Sequence, residues 1–133
     1  MTATPGDFKG HSGFRRLANA LRYSAAGFRH ALRHEVAIRE ELVVLAILVP
    51  VSAVLPISNL EHLILVLTMM LVVLVEFLNS AIESAVDRVS LERHPLAARA
   101  KDLGSAAVLI AVLMWGLSWV VIVGPLAVRW CKG

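Results

Sequence analysis

Three carboxylates and an amide share one helical stripe in the middle of this chain. Glu76, Glu83 and Asp87 stand 7 and 11 residues apart, steps that return almost to the starting angle on an α-helix. Asn79 and Ser80 sit one turn beyond Glu76. The stretch that carries them, HLILVLTMMLVVLVEFLNSAIESAVD (62–87), opens as an uncharged apolar run and acquires its acids only in its second half. Carboxylates and an amide oxygen are hard oxygen ligands suited to Mg²⁺. A carboxylate held away from water can also take a proton from a hydroxyl. Elsewhere, Glu35 and Asp102 add acids, and Lys101 with the nearby Arg99 adds cations that attract a polyphosphate. These are the ingredients of phosphoryl transfer to a lipid alcohol. A proton-coupled carrier also places carboxylates in membrane helices, so the spacing alone leaves both chemistries open.

The composition says where such a site would stand. Of 133 residues, 58% are hydrophobic and 17% charged, where a soluble domain is nearer a quarter charged. The mean hydropathy is +0.74. A soluble domain of this length has no need of uncharged runs this long, so the composition points to an integral membrane protein. The formal charge is +3, unevenly spread. Residues 8–34 carry Lys9, Arg15, Arg16, Arg22, Arg29 and Arg33 and no acid. Such a stretch suits a nucleic acid or an anionic membrane surface. The apolar runs that follow decide for the membrane, and no nucleic-acid partner is expected. Cys131, the only cysteine, allows neither an intrachain disulfide nor a zinc cluster. The five histidines show no metal-ligand spacing. There is no GxxxxGK[ST], GxGxxG, HRD or DFG segment, so the common soluble nucleotide sites are excluded.

The elements that must position these residues follow in order. Residues 1–13 read as a loose terminus ending in a cap near Ser12, without the apolar run of a signal peptide. Residues 14–34 read as an amphipathic helix. Phe14, Leu17, Leu21, Phe28 and Leu32 form one face and Arg15, Arg22 and Arg29 another, a pattern suited to the membrane interface. Gly27 is expected to weaken it. The charged segment 35–41 pairs Glu35 with Arg39 at i,i+4. The uncharged run 42–60 just meets the length needed to cross hydrocarbon, with Pro50 and Pro56 set to kink or end it. A second span covers about 62–88. Residues 88–102 read as a polar loop in which Pro95 breaks a helix or starts one. The third span, 103–128, begins with the small residues Gly104, Ser105, Ala106 and Ala107, which permit close helix approach. The basic N-terminal region and the basic 88–102 segment belong on the cytoplasmic side, and the 57–62 turn outside. The carboxylate end of the second span, Glu35 and Lys101 then converge on one leaflet.

The segments EFLNSAIESAVDR (76–88) and RAKDLGSAAVLIA (99–111), with HEVAIREE (34–41) and RRLANALRYSAAGFR (15–29), resemble the small prokaryotic integral-membrane diacylglycerol kinase family. The likeness covers most of residues 14–111. It implies an all-α membrane protein, with an N-terminal amphipathic surface helix (14–34) and three transmembrane helices (about 36–57, 62–88 and 103–128), assembled as a homotrimeric bundle in the bacterial inner membrane with a cytoplasmic N-terminus. It implies ATP as phosphoryl donor, Mg²⁺, and diacylglycerol as acceptor among the membrane phospholipids, with phosphatidic acid as product. By motif match Glu83, Lys101 and Asn79 would be catalytic, Glu83 as general base. Arg16, Glu35, Glu76, Glu83, Asp87, Lys101 and Asp102 would bind nucleotide. Arg16, Arg39, Glu41, Glu76 and Arg99 would bind the lipid substrate. Glu35 and Glu83 would hold the metal. Undecaprenol kinases share the scaffold, so an undecaprenol acceptor is the alternative within the family.

Overall fold

A computed structural model describes residues 13–89 and 94–133, and every regular element among them is an α-helix. The expected cap at Ser12, and Glu92 and Arg93 of the expected polar loop, lie outside the described residues. The helices are α1 (Gly13–His34), α2 (Val36–Val54), α3 (Asn59–Val89) and α4 (Pro95–Lys132).

Helix α1 forms a unit of its own. It runs unbroken through Gly27 for 22 residues, about 33 Å. The apolar residues Phe14, Leu17, Leu21, Phe28 and Leu32 all remain exposed, as do the arginines of the other face.

The second unit holds α2, α3 and α4, with α3 packed against both of the others. The turn before α3 carries a reciprocal cap. Glu61 Oε2 accepts from both the backbone N–H and the hydroxyl of Ser58 at 2.7 Å. The Glu61 N–H in turn donates to Ser58 Oγ at 3.3 Å. This capping box fixes the start of α3 at Asn59, earlier than the boundary near residue 62 that hydropathy suggests.

Helix α2 stops at Val54 because Leu55 precedes Pro56 and takes an extended conformation, φ −75 and ψ 142, as residues before proline do. Pro50 stays inside the helix. The uncharged helical part is therefore 42–54, about 20 Å long, and the 19-residue run seen in sequence is not one helix. Helix α2 instead begins at Val36 and includes Arg39, Glu40 and Glu41. By length and composition, α3 and α4 are the helices able to cross a membrane among the described residues. The most apolar stretch of α4 is only 6% buried within the chain. A soluble core helix would not leave that surface open to water, so lipid or another subunit must cover it.

Residues 88–102 are not a loop throughout. His94 caps α4, its Nδ1 accepting from the Leu96 N–H at 3.2 Å, and Pro95 takes the first helical position, where its missing N–H costs nothing. Arg99, Lys101 and Asp102 are thus helical, and their side chains have the fixed angular order of a helix face.

The α3–α4 seam explains the placement of the site. On α3 the buried residues Leu65, Met69, Val72 and Asn79 recur at steps of three, four and seven. The same series continues through Glu76 and Glu83, both half-buried. On α4 Gly104 and Ala111 are buried, and Ser118, seven further on, meets Thr68 across the seam at 3.0 Å between hydroxyl oxygens. Lipid tails are as apolar as leucine, so helices in a bilayer associate through close packing and polar links rather than hydrophobic gain. Small residues every seventh position on α4 supply the first, and Thr68–Ser118 the second.

Candidate functional site

Glu76 and Glu83 of the α3 stripe are the polar continuation of the core seam, both half-buried, and Asp87 at its end is exposed. Asn79 is the most deeply buried polar group there, 8% exposed. Its Nδ2 donates to Glu83 Oε1 at 3.2 Å. Its Oδ1 is buried without a hydrogen-bond partner among the described residues and is pressed against α4 where Gly104 has no side chain. An i,i+4 amide–carboxylate pair of this kind holds the carboxylate in one rotamer.

Two turns towards the C-terminus of α3, Lys101 Nζ pairs with Asp87 Oδ1 at 2.6 Å. Asp87 and, next, the field of Glu83 hold the Lys101 ammonium above the ordinary lysine range. Lys101 lies before the uncharged stretch 103–128 and keeps solvent access, with 37% of its side chain exposed. It is a cation fixed at the edge of the seam by a partner that leaves its other protons free to donate.

Helix α2 brings a second set of acids. Glu41 and Glu76 lie within each other's electrostatic reach, and Glu76 also feels Glu83 and Glu35. Glu41 Oε2 is buried with no hydrogen-bond partner among the described residues. Three other carboxylates, those of Glu35 just ahead of α2, Glu41 on α2 and Glu83 on α3, are thus electrostatically coupled to Glu76. Like charges that interact out of water are costly, and a divalent cation relieves the repulsion. The donor set is of the right kind for Mg²⁺, which takes one or two carboxylates together with phosphate oxygens. It is not a resident cage, because no three His, Cys, Asp or Glu side chains among the described residues are placed to hold a metal ion by themselves.

Of the residues singled out by sequence, Glu35, Glu41, Glu76, Asn79 and Glu83 come together, and Asp87 and Lys101 pair beside them. Arg39 opens α2 from an exposed position. Asp102 and Arg99 stand exposed on α4, Asp102 turned about 100° from Lys101. Arg16 belongs to the α1 unit. Two features escaped the sequence reading. The close approach at Gly104 was legible as a small-residue contact, but its target, Asn79, was not. The buried Glu41 oxygen gave no signal in a segment that reads as surface charge.

Comparison with known proteins bears on residues 22–123, which match the family model described as "Prokaryotic diacylglycerol kinase". A diacylglycerol kinase of Pseudomonas aeruginosa is 45% identical over 119 residues, covering 90% of this chain and 97% of the relative. The Escherichia coli K12 diacylglycerol kinase is 42% identical over 111 residues, 84% of this chain and 91% of the relative. A Helicobacter pylori diacylglycerol kinase is 42% identical over 107 residues, 80% of this chain and 84% of its own.

Proposed function

The chain belongs to the prokaryotic diacylglycerol kinase family, and on that premise we propose that it transfers the γ-phosphoryl group of ATP to the free hydroxyl of diacylglycerol, yielding phosphatidic acid and ADP. The observation that carries the reading is the Asn79–Glu83 pair at the polar end of the seam, inside the matched region. It provides an oriented carboxylate at a depth that a lipid hydroxyl can reach while its acyl tails stay in hydrocarbon.

The mechanism is direct in-line transfer. The diacylglycerol oxygen attacks the γ-phosphorus, the bond from that phosphorus to the β-bridging oxygen breaks, and Glu83 receives the hydroxyl proton. Asn79 orients Glu83 by its Nδ2–H. Lys101, steadied by Asp87, neutralises charge that develops on the transferred phosphoryl group. Mg²⁺, when bound with the nucleotide, supplies charge neutralisation of the phosphates, and Glu35 and Glu83 are the residues that would hold it. Glu76 and Asp102 complete the nucleotide surroundings. Arg16, Arg39, Glu41 and Arg99 serve the lipid and nucleotide periphery.

The assembly is a homotrimer in the bacterial inner membrane, with α1 on the cytoplasmic surface and α2, α3 and α4 spanning. Three considerations support it. The apolar surface of α4 needs cover, the α1 face is basic and amphipathic, and basic residues flank the carboxylate end of α3. Since the uncharged run of α2 is only the 13 residues 42–54, α2 would span with its charged first turns at headgroup depth, and Glu35 and Glu41 would then stand near the level of the lipid hydroxyl.

Purified protein, labelled ATP, Mg²⁺ and diacylglycerol in mixed micelles test the reading. Labelled phosphatidic acid is the expected product. A folded preparation that makes none overturns it, and preferential labelling of undecaprenol in a parallel reaction moves the acceptor to the polyprenols.

A further inference from the structure

The buried amide of Asn79 poses a problem that Glu83 does not solve. Its Nδ2 has a partner, but Oδ1 has none. A primary amide that is 8% exposed can rotate about its last torsion, and the two orientations differ only in which atom faces Glu83. The reverse orientation would set Oδ1 against a carboxylate oxygen, a repulsive contact. Something must also make room for Oδ1 on the other side. That room is at Gly104. A Cβ there would strike Asn79 Oδ1 and come within 3.4 Å of Asn79 Cγ and 3.9 Å of Asn79 Cα. The oxygen therefore occupies the place that any side chain at residue 104 would fill, against the α-hydrogen of the glycine. A Cα–H facing an amide oxygen this closely is a weak donor.

Gly104 also lies one turn after Lys101 on the same face of α4, so the glycine and the lysine meet α3 in succession. Lys101 takes Asp87 and Gly104 takes Asn79. The backbone of α4 thus sets both polar side chains of α3 at once. The other described glycines in the membrane-crossing part of α4, Gly116 and Gly124, have open space where a Cβ would stand. The requirement is specific to residue 104.

We propose that Gly104 is a positioning residue for phosphoryl transfer, acting through Asn79: the missing side chain fixes the Asn79 amide with its nitrogen on Glu83. The proposal rests on the kinase reading above and deepens it. Packing against any other neighbour would cost the same whatever stands at position 79, and a loss of kcat with little change in KM separates amide displacement from loss of packing against Asn79 itself.

A double-mutant cycle tests it. Gly104→Ala and Asn79→Ala are made singly and together, and diacylglycerol phosphorylation and thermal unfolding in mixed micelles are measured for each. Gly104→Ala is expected to lower kcat by about 10- to 100-fold, the cost of a small misplacement at a reacting centre, with KM for ATP and for diacylglycerol changed less than about threefold. In the Asn79→Ala background, where no amide is left to displace, adding Gly104→Ala should change neither the residual kcat nor the thermal midpoint. Equal losses in both backgrounds, or a Gly104→Ala variant with normal kcat, overturn the proposal. If Gly104→Ala alone does not fold, the double variant should, because its clash is gone. Failure of the double variant to fold also overturns it. An unmodified protein that does not phosphorylate diacylglycerol instead strikes the kinase reading, and the thermal cycle still reports whether residues 79 and 104 are coupled.

Discussion

Lys101 Nζ and Asp87 Oδ1 meet at 2.6 Å, joining the last two turns of α3 to the first two turns of α4. Both side chains retain solvent access, 37% for the lysine and 58% for the aspartate, and exposed ion pairs contribute little to stability. The pair's value lies in fixing where the ammonium stands. Lys101→Met is therefore expected to leave the thermal midpoint within a few degrees while lowering kcat at least 100-fold, and Asp87→Asn to lower kcat by a smaller factor. A Lys101→Met protein that turns over normally would remove the lysine from the site.

Glu83 carries the heaviest assignment. Replacing it by glutamine keeps an oxygen that accepts from Asn79 Nδ2, so the local rotamer and the helix survive. What would be lost is the proposed proton acceptor, a contribution of about 10²- to 10⁴-fold. Glu83→Gln is expected to fold and to lose that factor or more in kcat, measured with saturating Mg²⁺ so that weakened metal binding is separated from lost base. Normal turnover would assign the base elsewhere.

The sequence made the stripe legible because helical periodicity is exact enough to align Glu76, Glu83 and Asp87 over three turns. Two prolines were legible as boundaries but not in their detailed effect, and one contact was not legible at all. Pro56 reads as kinking or ending the first span, and the restriction it puts on Leu55 ends α2 at Val54. Pro95 reads as either breaking a helix or starting one, and α4 begins there, ahead of the uncharged run at 103. And a tertiary contact such as Gly104 on Asn79 has no period; the small-residue cluster announced that something approaches, and only the packed helices say what. The Ser58–Glu61 box, by contrast, carries its own signature in the sequence, Ser-x-x-Glu, which hydropathy passes over.

Thr68 and Ser118 link α3 to α4 deep in the apolar region, yet the link should be weak. Each hydroxyl has one proton and an alternative acceptor on its own helix. Thr68 Oγ1 lies 2.9 Å from the Ile64 carbonyl oxygen and 3.1 Å from that of Leu65, and Ser118 Oγ lies 2.7 Å from that of Trp115. Interhelical hydrogen bonds in membranes average about 0.6 kcal/mol. Thr68→Val should destabilise by about that amount in mixed micelles, Ser118→Ala added to it should cost little more, and kcat should not move. Strictly additive losses would mean that the two hydroxyls are not coupled.

The cap on α3 gives a pH signature. Hydrogen bonds from the Ser58 hydroxyl and backbone N–H hold the Glu61 carboxyl below its ordinary range, which is about 4.3. A carboxylate depressed on folding contributes stability that is full above the unfolded value and is lost as pH falls through the lower folded value. Glu61 lies in the first turn of α3, ahead of the uncharged run 63–75. Ser58→Ala should lower the thermal midpoint at pH 7, and the gap from the unmodified protein should narrow between pH 5 and pH 3. A gap that stays constant over that window would assign it to the Ser58 hydroxyl alone.

The orientation of the bundle has a direct chemical test, because Cys131 is the only cysteine and is exposed at the end of a helix about 57 Å long. In the proposed topology the 88–102 region is cytoplasmic, and α4 should then carry Cys131 to the far side. A membrane-impermeant maleimide should label Cys131 in intact spheroplasts. With Cys131→Ser and Ala98→Cys, labelling should appear only after permeabilisation. The same reagent decides whether α2 crosses. Its uncharged helical part, 42–54, is about 20 Å long, short of the ~30 Å of hydrocarbon, and it spans only if Arg39, Glu40 and Glu41 reach the headgroups. A cysteine at Ser24 on α1, in the Cys131→Ser background, reports this. If α2 crosses, Ser24→Cys labels like Ala98→Cys, after permeabilisation. If α2 lies along the interface instead, Ser24→Cys labels in intact spheroplasts, and Glu35 and Glu41 would then stand on the side of the membrane opposite Lys101, which the proposed site does not survive.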